Sequence, residues 1–386
     1  MIRKIASRVI LPLVALTFLQ GCAHCNSSEA PVASFLGEPR MEMQQVFKGE
    51  RFPNIVVTTK GTVLVTWGNK RVRARRSEDG GKTWSEEITI ADPGFQGGGT
   101  TVDETTGDIL AFVEDHHPPA ALTVYRSSDD GRTWQPEKPV VHPDSRGNLP
   151  SMHMNEHGIT LLHGKHKGRL LRPSRYYGKK NDRSEWPNHY TSSIYSDDHG
   201  KTWHTSDPFP ENGTGEAAVA ELSSGDVYYN SRVHWQERPK NTRRRSAISH
   251  DGGETWTGFR IVDILPDGHQ HRSYGCMGGL VRLPIAGRDI LIFSNIDTPN
   301  PKRERATVWA SFDCGETWPI KRLVYDGPGA YSSLNAGRPG TPSEGWIYLN
   351  FEGGPEGGST VARFNLSWLL AGEKTEDGSL PRELSK

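Results

Sequence analysis

One aspartate recurs in the same eight-residue phrase: "SEDGGKTW" (77–84), "SSDDGRTW" (127–134), "SDDHGKTW" (196–203), "SHDGGETW" (249–256) and "SFDCGETW" (311–318). A carboxylate in a glycine-containing loop could hold calcium. An EF-hand loop, however, needs acidic side chains at several alternating positions and a closing glutamate. With a single recurring aspartate, the phrase reads as turn chemistry: Asp accepts bonds from nearby backbone N–H groups and Gly permits a positive φ. Titratable groups also gather in "FVEDHHPPAALTV" (112–124), where Glu114, Asp115, His116 and His117 follow one another. A histidine, or a carboxylate with a raised pKa, could donate a proton there, although His-His-Pro-Pro also makes a rigid turn. Elsewhere the reactive residues are scattered, and singly they say little. A lone tyrosine is usually packing, and an exposed arginine is usually solvated or in a weak surface pair.

The elements that must position these groups are strands. Each copy of the phrase follows one: "RVRARR", "LTVYR", "SSIY", "RRSAI" and "ATVWA" alternate between side chains suited to opposite faces of a sheet. Thr-Trp then resumes a strand, and the tryptophan offers a large apolar face to a neighbouring unit. The copies begin at 77, 127, 196, 249 and 311, intervals of 50 to 69 residues. A repeat of this order, built from four strands, predicts an all-β propeller. Residues 41–371 divided by a period of about 55 give six blades. The sixth is built from "GWIYLNFEGG" (345–354) and "STVARFNLSWLL" (359–370), closed by an N-terminal strand near 43–49.

Lys+Arg and Asp+Glu both number 46, so no net charge draws the chain to nucleic acid. Arg3, Lys4 and Arg8 precede the apolar stretch "VILPLVALTF" (9–18), shorter than the roughly 20 residues a spanning helix needs. "LQGC" (19–22) resembles a bacterial lipobox, with Cys22 as the lipidated first residue of the mature chain; cleavage by an ordinary signal peptidase is the other route. Export follows either way, and the lipid anchor gives the expected contact with a bacterial membrane. The expected organisation is a signal peptide (1–22), a flexible tether (23–40), the propeller (41–371) and a loose polar tail (372–386). Cys25 lies in the tether. Cys276 and Cys314 could pair in an oxidising compartment, which the sequence does not decide.

The five phrases look like the Asp boxes of the sialidase (neuraminidase) superfamily, and the resemblance runs from about residue 48 to 370. "ERFPNIVVTTKGTVLVTW" (50–67) resembles the family's Arg-Ile-Pro opening, with Phe52 in place of Ile. It implies that Arg51 is the first of three carboxylate-binding arginines. "GTGEAAVAELSSGDVYYNSR" (213–232) resembles the segment carrying the general-base glutamate, Glu216, and the second arginine, Arg232. In "SNIDTPNPKRERATVWASFDCGETW" (294–318), Arg303 falls where the third belongs. "YSSL" (331–334) matches the segment of the nucleophilic tyrosine, Tyr331, and "IYLNFEGG" (347–354) puts Glu352 where a glutamate steadies the first arginine.

The resemblance implies a retaining exo-α-sialidase without metal or organic cofactor, acting on sialylated or other acidic-sugar glycans. Sialic acids carry a carboxylate on the anomeric carbon, and three planar, permanently charged guanidiniums suit its grip. A carboxylate nucleophile would meet that same charge, whereas a tyrosine stays neutral until a base activates it. The pattern breaks at the acid. The family's aspartate lies on the loop after the first blade's second strand, but here Trp67 runs straight into "GNKRVRARRS" (68–77), with no carboxylate before Glu78. Asp115 and His116 are the substitute donors expected from the second-blade loop; a substrate with an undemanding leaving group, or binding without hydrolysis, are the alternatives. Lys70 stands where the family has an arginine, which leaves open another 2-keto sugar acid, such as Kdo or KDN. The insertion "KHKGRLLRPSRYYGKKNDRSEWPNHY" (165–190) offers Tyr176, Tyr177, Trp186 and Tyr190 either as a stacking platform for the aglycone or as a cover over the rim. The basic run "PKNTRRRS" (239–246) is read as a solvated strand end.

Overall fold

The computed structural model describes residues 32–180, 182–233, 242–267 and 275–384. Antiparallel meanders dominate it. Pro53–Val57, Val63–Trp67, Val72–Ser77 and Ile88–Ala91 form the first sheet, and Phe95–Val102, Ile109–Glu114, Leu122–Ser127 and Gln135–Glu137 the second. The third orders Ile159–Thr160, Leu170–Tyr176, Tyr190–Ser196 and Thr202–Thr205, with Val140–His142 added in parallel at its edge. Thr214–Glu221, Val227–Val233, Arg243–Ser249 and Thr257–Pro266 make the fourth.

The last sheet has eight strands. Leu280–Arg282, Leu291–Ile296 and Glu304–Ser311 lead into the 17-residue Ile320–Ala336, followed by Ile347–Gly353, Ser359–Phe364 and, at the edge, Met41–Phe47; the eighth, Glu373–Lys374, pairs with the start of Ile320–Ala336. Ile320–Ala336 pairs with Glu304–Ser311 as far as Pro328 and with Ile347–Gly353 from Gly329 onward. The all-β propeller is therefore as expected, but the expected six separate blades appear as five hydrogen-bonded sheets, because one continuous strand serves two strand arrays. The closing strand comes from the N-terminus, as expected, at Met41–Phe47.

The inner strands Pro53–Val57 and Thr214–Glu221 are buried at every position, because neighbouring sheets cover both faces. Val56, Leu64 and Val72 of the first sheet share one apolar cluster with Val102, Ile109 and Ala111 of the second. Trp203 is fully buried, set edge-on to Phe112 at 5.5 Å, and its indole N–H donates to the Gly200 carbonyl at 2.9 Å.

Each recurring phrase joins the third and fourth strands of its unit. In the first, the Asp79 carboxylate accepts from the Lys82 and Thr83 N–H groups, each at 3.0 Å, and from the Thr83 hydroxyl at 2.6 Å. The Ser77 hydroxyl donates to Asp79 at 2.7 Å and accepts from Gly81 N–H at 2.7 Å. The carboxylate is filled by its own turn, so the turn reading holds against the calcium one. Two consecutive residues take positive φ there, and at three boxes the first of them is not glycine: Asp130 at 64°, His199 at 60° and Cys314 at 63°. The closing unit has no box, because its outer strand arrives from the other end of the chain and no third-to-fourth turn exists.

Three expectations need correction. The segment after 371 is not loose along its described length: Glu373–Lys374 pairs with Ile320 and Lys321, and Leu384 is buried. Backbone pairing needs no apolar side chain, so a polar composition hid it. The 165–190 insertion is not a rim excursion, because Leu170–Tyr176 and Tyr190–Ser196 pair in full register as core strands, with Tyr177 and Tyr190 buried. Cys276 and Cys314 are separate buried thiols, not a disulfide. Cys22 and Cys25 lie outside the described residues.

Trp203→Ala should cost about 3–5 kcal/mol in urea unfolding, and Trp84→Ala, at a partly exposed box, clearly less; equal losses would contradict the packing described. Acid should weaken the boxes. Partial burial acts to raise the Asp129 carboxyl, but the Thr133 N–H and hydroxyl outweigh it and bring the pKa down to about 2; Asp198 and Asp251 are lowered in the same way. A folded pKa below the unfolded value of about 3.9 means stability complete above that value and lost as pH falls through it. Thermal unfolding should therefore fall steeply from about pH 4 downward, with a shallower fall in Asp129→Asn.

Candidate active site

Six residues from distant segments meet around one phenol. Tyr331 is buried in the second half of Ile320–Ala336, and its hydroxyl donates to Glu216 Oε1 at 3.2 Å. The guanidinium carbon of Arg51 lies 4.8 Å from the Tyr331 ring centroid, and that of Arg303 lies 5.0 Å from it. Arg232 Nη1 bonds the other Glu216 oxygen. Glu352 takes Arg51 through two contacts, from Nε at 3.1 Å and Nη2 at 2.8 Å, and also accepts the Phe52 N–H at 3.1 Å. Arg303 donates to the Gly275 carbonyl at 2.7 Å.

Local backbone irregularities aim these groups. The pairing register of Thr214–Glu221 shifts between Thr214 and Ala217, spanning Glu216. That of Ile320–Ala336 shifts between Gly329 and Ser332, spanning Tyr331. Such bulges re-aim a side chain out of the regular pleat and are frequent beside active sites. Arg51 stands between two non-glycine residues in the left-handed region, Glu50 at 54° and Phe52 at 81°. A conformation of that kind costs about 1–3 kcal/mol, and the Glu352 bond to the Phe52 N–H helps hold it.

The charges set the protonation states. Burial acts to raise the Glu216 carboxyl, but Arg232, Arg175 and Arg303 prevail and hold it below its ordinary value, so it is ionised and ready to accept a proton. Burial, then the neighbouring Glu216 charge, pushes the Tyr331 phenol up, against the pull of Arg232 and Arg303. The phenol is therefore neutral at rest. Burial disfavours the Arg51 charge, yet Glu352 keeps its pKa raised.

The expected donor positions are less central. Asp115 and His116 are exposed on the rim. Glu114 turns into its sheet, where the Ser151 hydroxyl and Met152 N–H reach it at 2.5 and 3.1 Å and burial pushes its carboxyl up to about 7. Lys70 is exposed on the short loop after Trp67, and its backbone N–H and that of Asn69 donate to Glu50.

Sequence reasoning missed one wall of the site. His153 is buried, with its ring centroid 5.1 Å from Phe52 and 4.5 Å from Phe95, and Phe52 stacks 6.1 Å from Tyr331. His117 extends this wall, 4.9 Å from His153 and 5.6 Å from Tyr177. Arg175, fully buried, lies 4.2 Å from the Tyr177 ring. A signal for Arg175 existed: "SSIY" leads into a box and is therefore a third strand, so its second strand had to lie within the insertion. Nothing local marked His153, which is carried by the connecting segment 151–157.

A family model described as "BNR repeat-like domain" matches residues 68–342. A sialidase of Micromonospora viridifaciens is 29% identical over 95% of this chain and 60% of its own length. A sialidase of Bacteroides fragilis is 31% identical over 44% of this chain and 28% of its own. This chain thus spans less than two thirds of the length of both relatives. Among solved structures, a Hadza microbial sialidase is 25% identical, with a TM-score of 0.65 over 83% of this chain and 66% of that one.

Glu216→Ala should destabilise the fold by about 3 kcal/mol or more, because it leaves Arg232 buried without its carboxylate. Urea unfolding measures this, and a loss below about 1 kcal/mol would mean the pair is not desolvated as described.

Proposed function

Because the chain belongs to the BNR repeat-like family, as a propeller of the sialidase superfamily, we propose that it is a glycoside hydrolase, a retaining exo-α-sialidase. The observation that carries this reading is the Tyr331–Glu216 contact at 3.2 Å with two guanidiniums over the phenol ring. In this reading Arg51, Arg232 and Arg303 grip the carboxylate that a sialic acid carries on its anomeric carbon. A charge-assisted contact of this kind contributes about 1.5–3 kcal/mol, and lysine would not reproduce the planar fork.

Glu216 takes the Tyr331 proton as the phenolate attacks the anomeric carbon, and the neighbouring cations stabilise the phenolate as it forms. A covalent glycosyl–tyrosine results, and water releases the sugar with its configuration retained. Counted by four-strand units, with Ile320–Ala336 shared between two of them, the catalytic propeller of 41–371 has six blades. Export through the 1–22 segment, a tether over 23–40 and lipidation at Cys22 complete the proposal; incorporation of labelled palmitate should disappear in Cys22→Ser. A second reading, an acidic-glycan-binding propeller, is favoured by one observation: the short loop after Trp67 supplies no carboxylate to act as acid.

Tyr331→Phe and Arg303→Ala should each reduce turnover of an aryl α-sialoside by at least about 100-fold, since each loses more than 2.7 kcal/mol of transition-state stabilisation. Unchanged rates would remove the site assignment. Wild-type protein that binds free sialic acid but releases nothing from aryl ketosides of sialic acid, KDN or Kdo would favour the binding reading.

A further inference from the structure

A glycosidase of this kind needs a group that protonates the departing aglycone oxygen, and the first-sheet loop offers none. We propose that His117, on the rim beside Phe95, His153 and Tyr177, is the acid/base residue of this site. The inference rests on the hydrolase reading above.

Three observations converge on this side chain. Its ring is solvent-exposed yet makes edge-on contacts with Phe95 at 5.7 Å, His153 at 4.9 Å and Tyr177 at 5.6 Å, the wall that continues through Phe52 to Tyr331. A donor must reach substrate and also exchange protons with water, and a rim position serves both. Its Nδ1 lies 3.2 Å from the Pro118 carbonyl, so Nδ1–H is held there and Nε2 is the nitrogen that carries the transferred proton. The other candidates fit less well. His153 is buried, its Nδ1 lies 3.3 Å from the Gln96 carbonyl, and burial with the adjacent His117 keeps it neutral. Glu114 is occupied by Ser151 and Met152.

The charged and titratable groups facing His117 are Arg175, Glu216, His116, His153 and Tyr177. Burial, then Arg175 and His116, lower its pKa from the ordinary histidine value, against the Pro118 carbonyl and Glu216. It is therefore a stronger acid than a free imidazole. In the first half-reaction, the Nε2–H bond breaks and an O–H bond forms on the aglycone, while the glycosidic C–O electron pair goes to that oxygen. The Tyr331 oxygen bonds the anomeric carbon, having passed its proton to Glu216. In the second half-reaction, neutral His117 takes a proton from water as that oxygen bonds the anomeric carbon. The Tyr331 oxygen leaves and recovers its proton from Glu216.

The test compares an aryl α-sialoside, whose leaving group needs little protonation, with an alkyl α-sialoside, whose leaving group needs it. In His117→Gln, kcat/KM for the alkyl substrate should fall by about 10²–10⁴-fold, with the aryl rate within about tenfold. The decline of the wild-type alkyl rate as pH rises through the His117 pKa should be lost. The aryl rate reports that the variant is folded. Alkyl turnover retained in His117→Gln, or both substrates slowed equally, would overturn the assignment while leaving the hydrolase reading intact. Wild-type protein inactive on both substrates would instead remove the hydrolase reading and this inference with it.

Discussion

Burying positive charge beside a phenol is the constraint on which the rest of the molecule depends. Arg175 and Arg232 are buried, and Arg51 and Arg303 close over the Tyr331 ring. An isolated guanidinium out of water is prohibitively unfavourable unless paired and hydrogen-bonded. Glu216 answers Arg232, Glu352 answers Arg51, the Gly275 carbonyl accepts from Arg303, and the Tyr177 hydroxyl and His189 Nδ1 meet Arg175. The same pairings tune the chemistry, because what neutralises Arg232 is also what faces the Tyr331 hydroxyl. Stability and reactivity therefore rest on the same carboxylate.

That arrangement needs a scaffold able to bring residues 51, 216, 232, 303, 331 and 352 to one place. A ring of meanders does so because each unit presents its inner strands to a shared axis. The Asp boxes, by contrast, sit at the outer turns and repeat one set of local bonds without touching the site. They give the five units that carry them the same outer turn, and the inner strands are left to differ. The register shifts at Glu216 and Tyr331 lie in those inner strands, where they aim reacting groups.

The aromatic wall gives the site its other half. Phe52, Phe95, His153 and Tyr177 form a surface of low polarity next to the arginines. Low polarity strengthens each charge interaction beside it and holds His153 neutral at rest. The Glu50 carboxylate pins the loop of Asn69 and Lys70 by its backbone, so the first sheet contributes shape more than acid there. The loop of the neighbouring second sheet, through His117, carries the titratable group.

What the sequence determined by itself was whatever depends on near neighbours. The Ser-x-Asp-x-Gly-x-Thr-Trp turns are closed within seven residues, so both their form and their spacing were legible, and with them the propeller. The residues around Tyr331 were legible only through resemblance, since no spacing in the chain announces that Arg51 and Glu352 will meet. Tertiary structure alone decided three matters. A continuous Ile320–Ala336 merged two strand arrays although Asp326-Gly-Pro-Gly329 reads as a turn, because that stretch stays extended while its pairing passes from Glu304–Ser311 to Ile347–Gly353. The tail docked through backbone bonds that composition does not record. The identity of the histidine at the site's wall, His117 and not His116, followed from which ring packs against Phe95 and His153. Those contacts belong to segments that converge from positions as far apart as Gln96 and His153, 57 residues along the chain, with His117 between them. A one-residue choice within "EDHHPP" is set by packing geometry, and packing geometry is fixed only when the whole ring has closed.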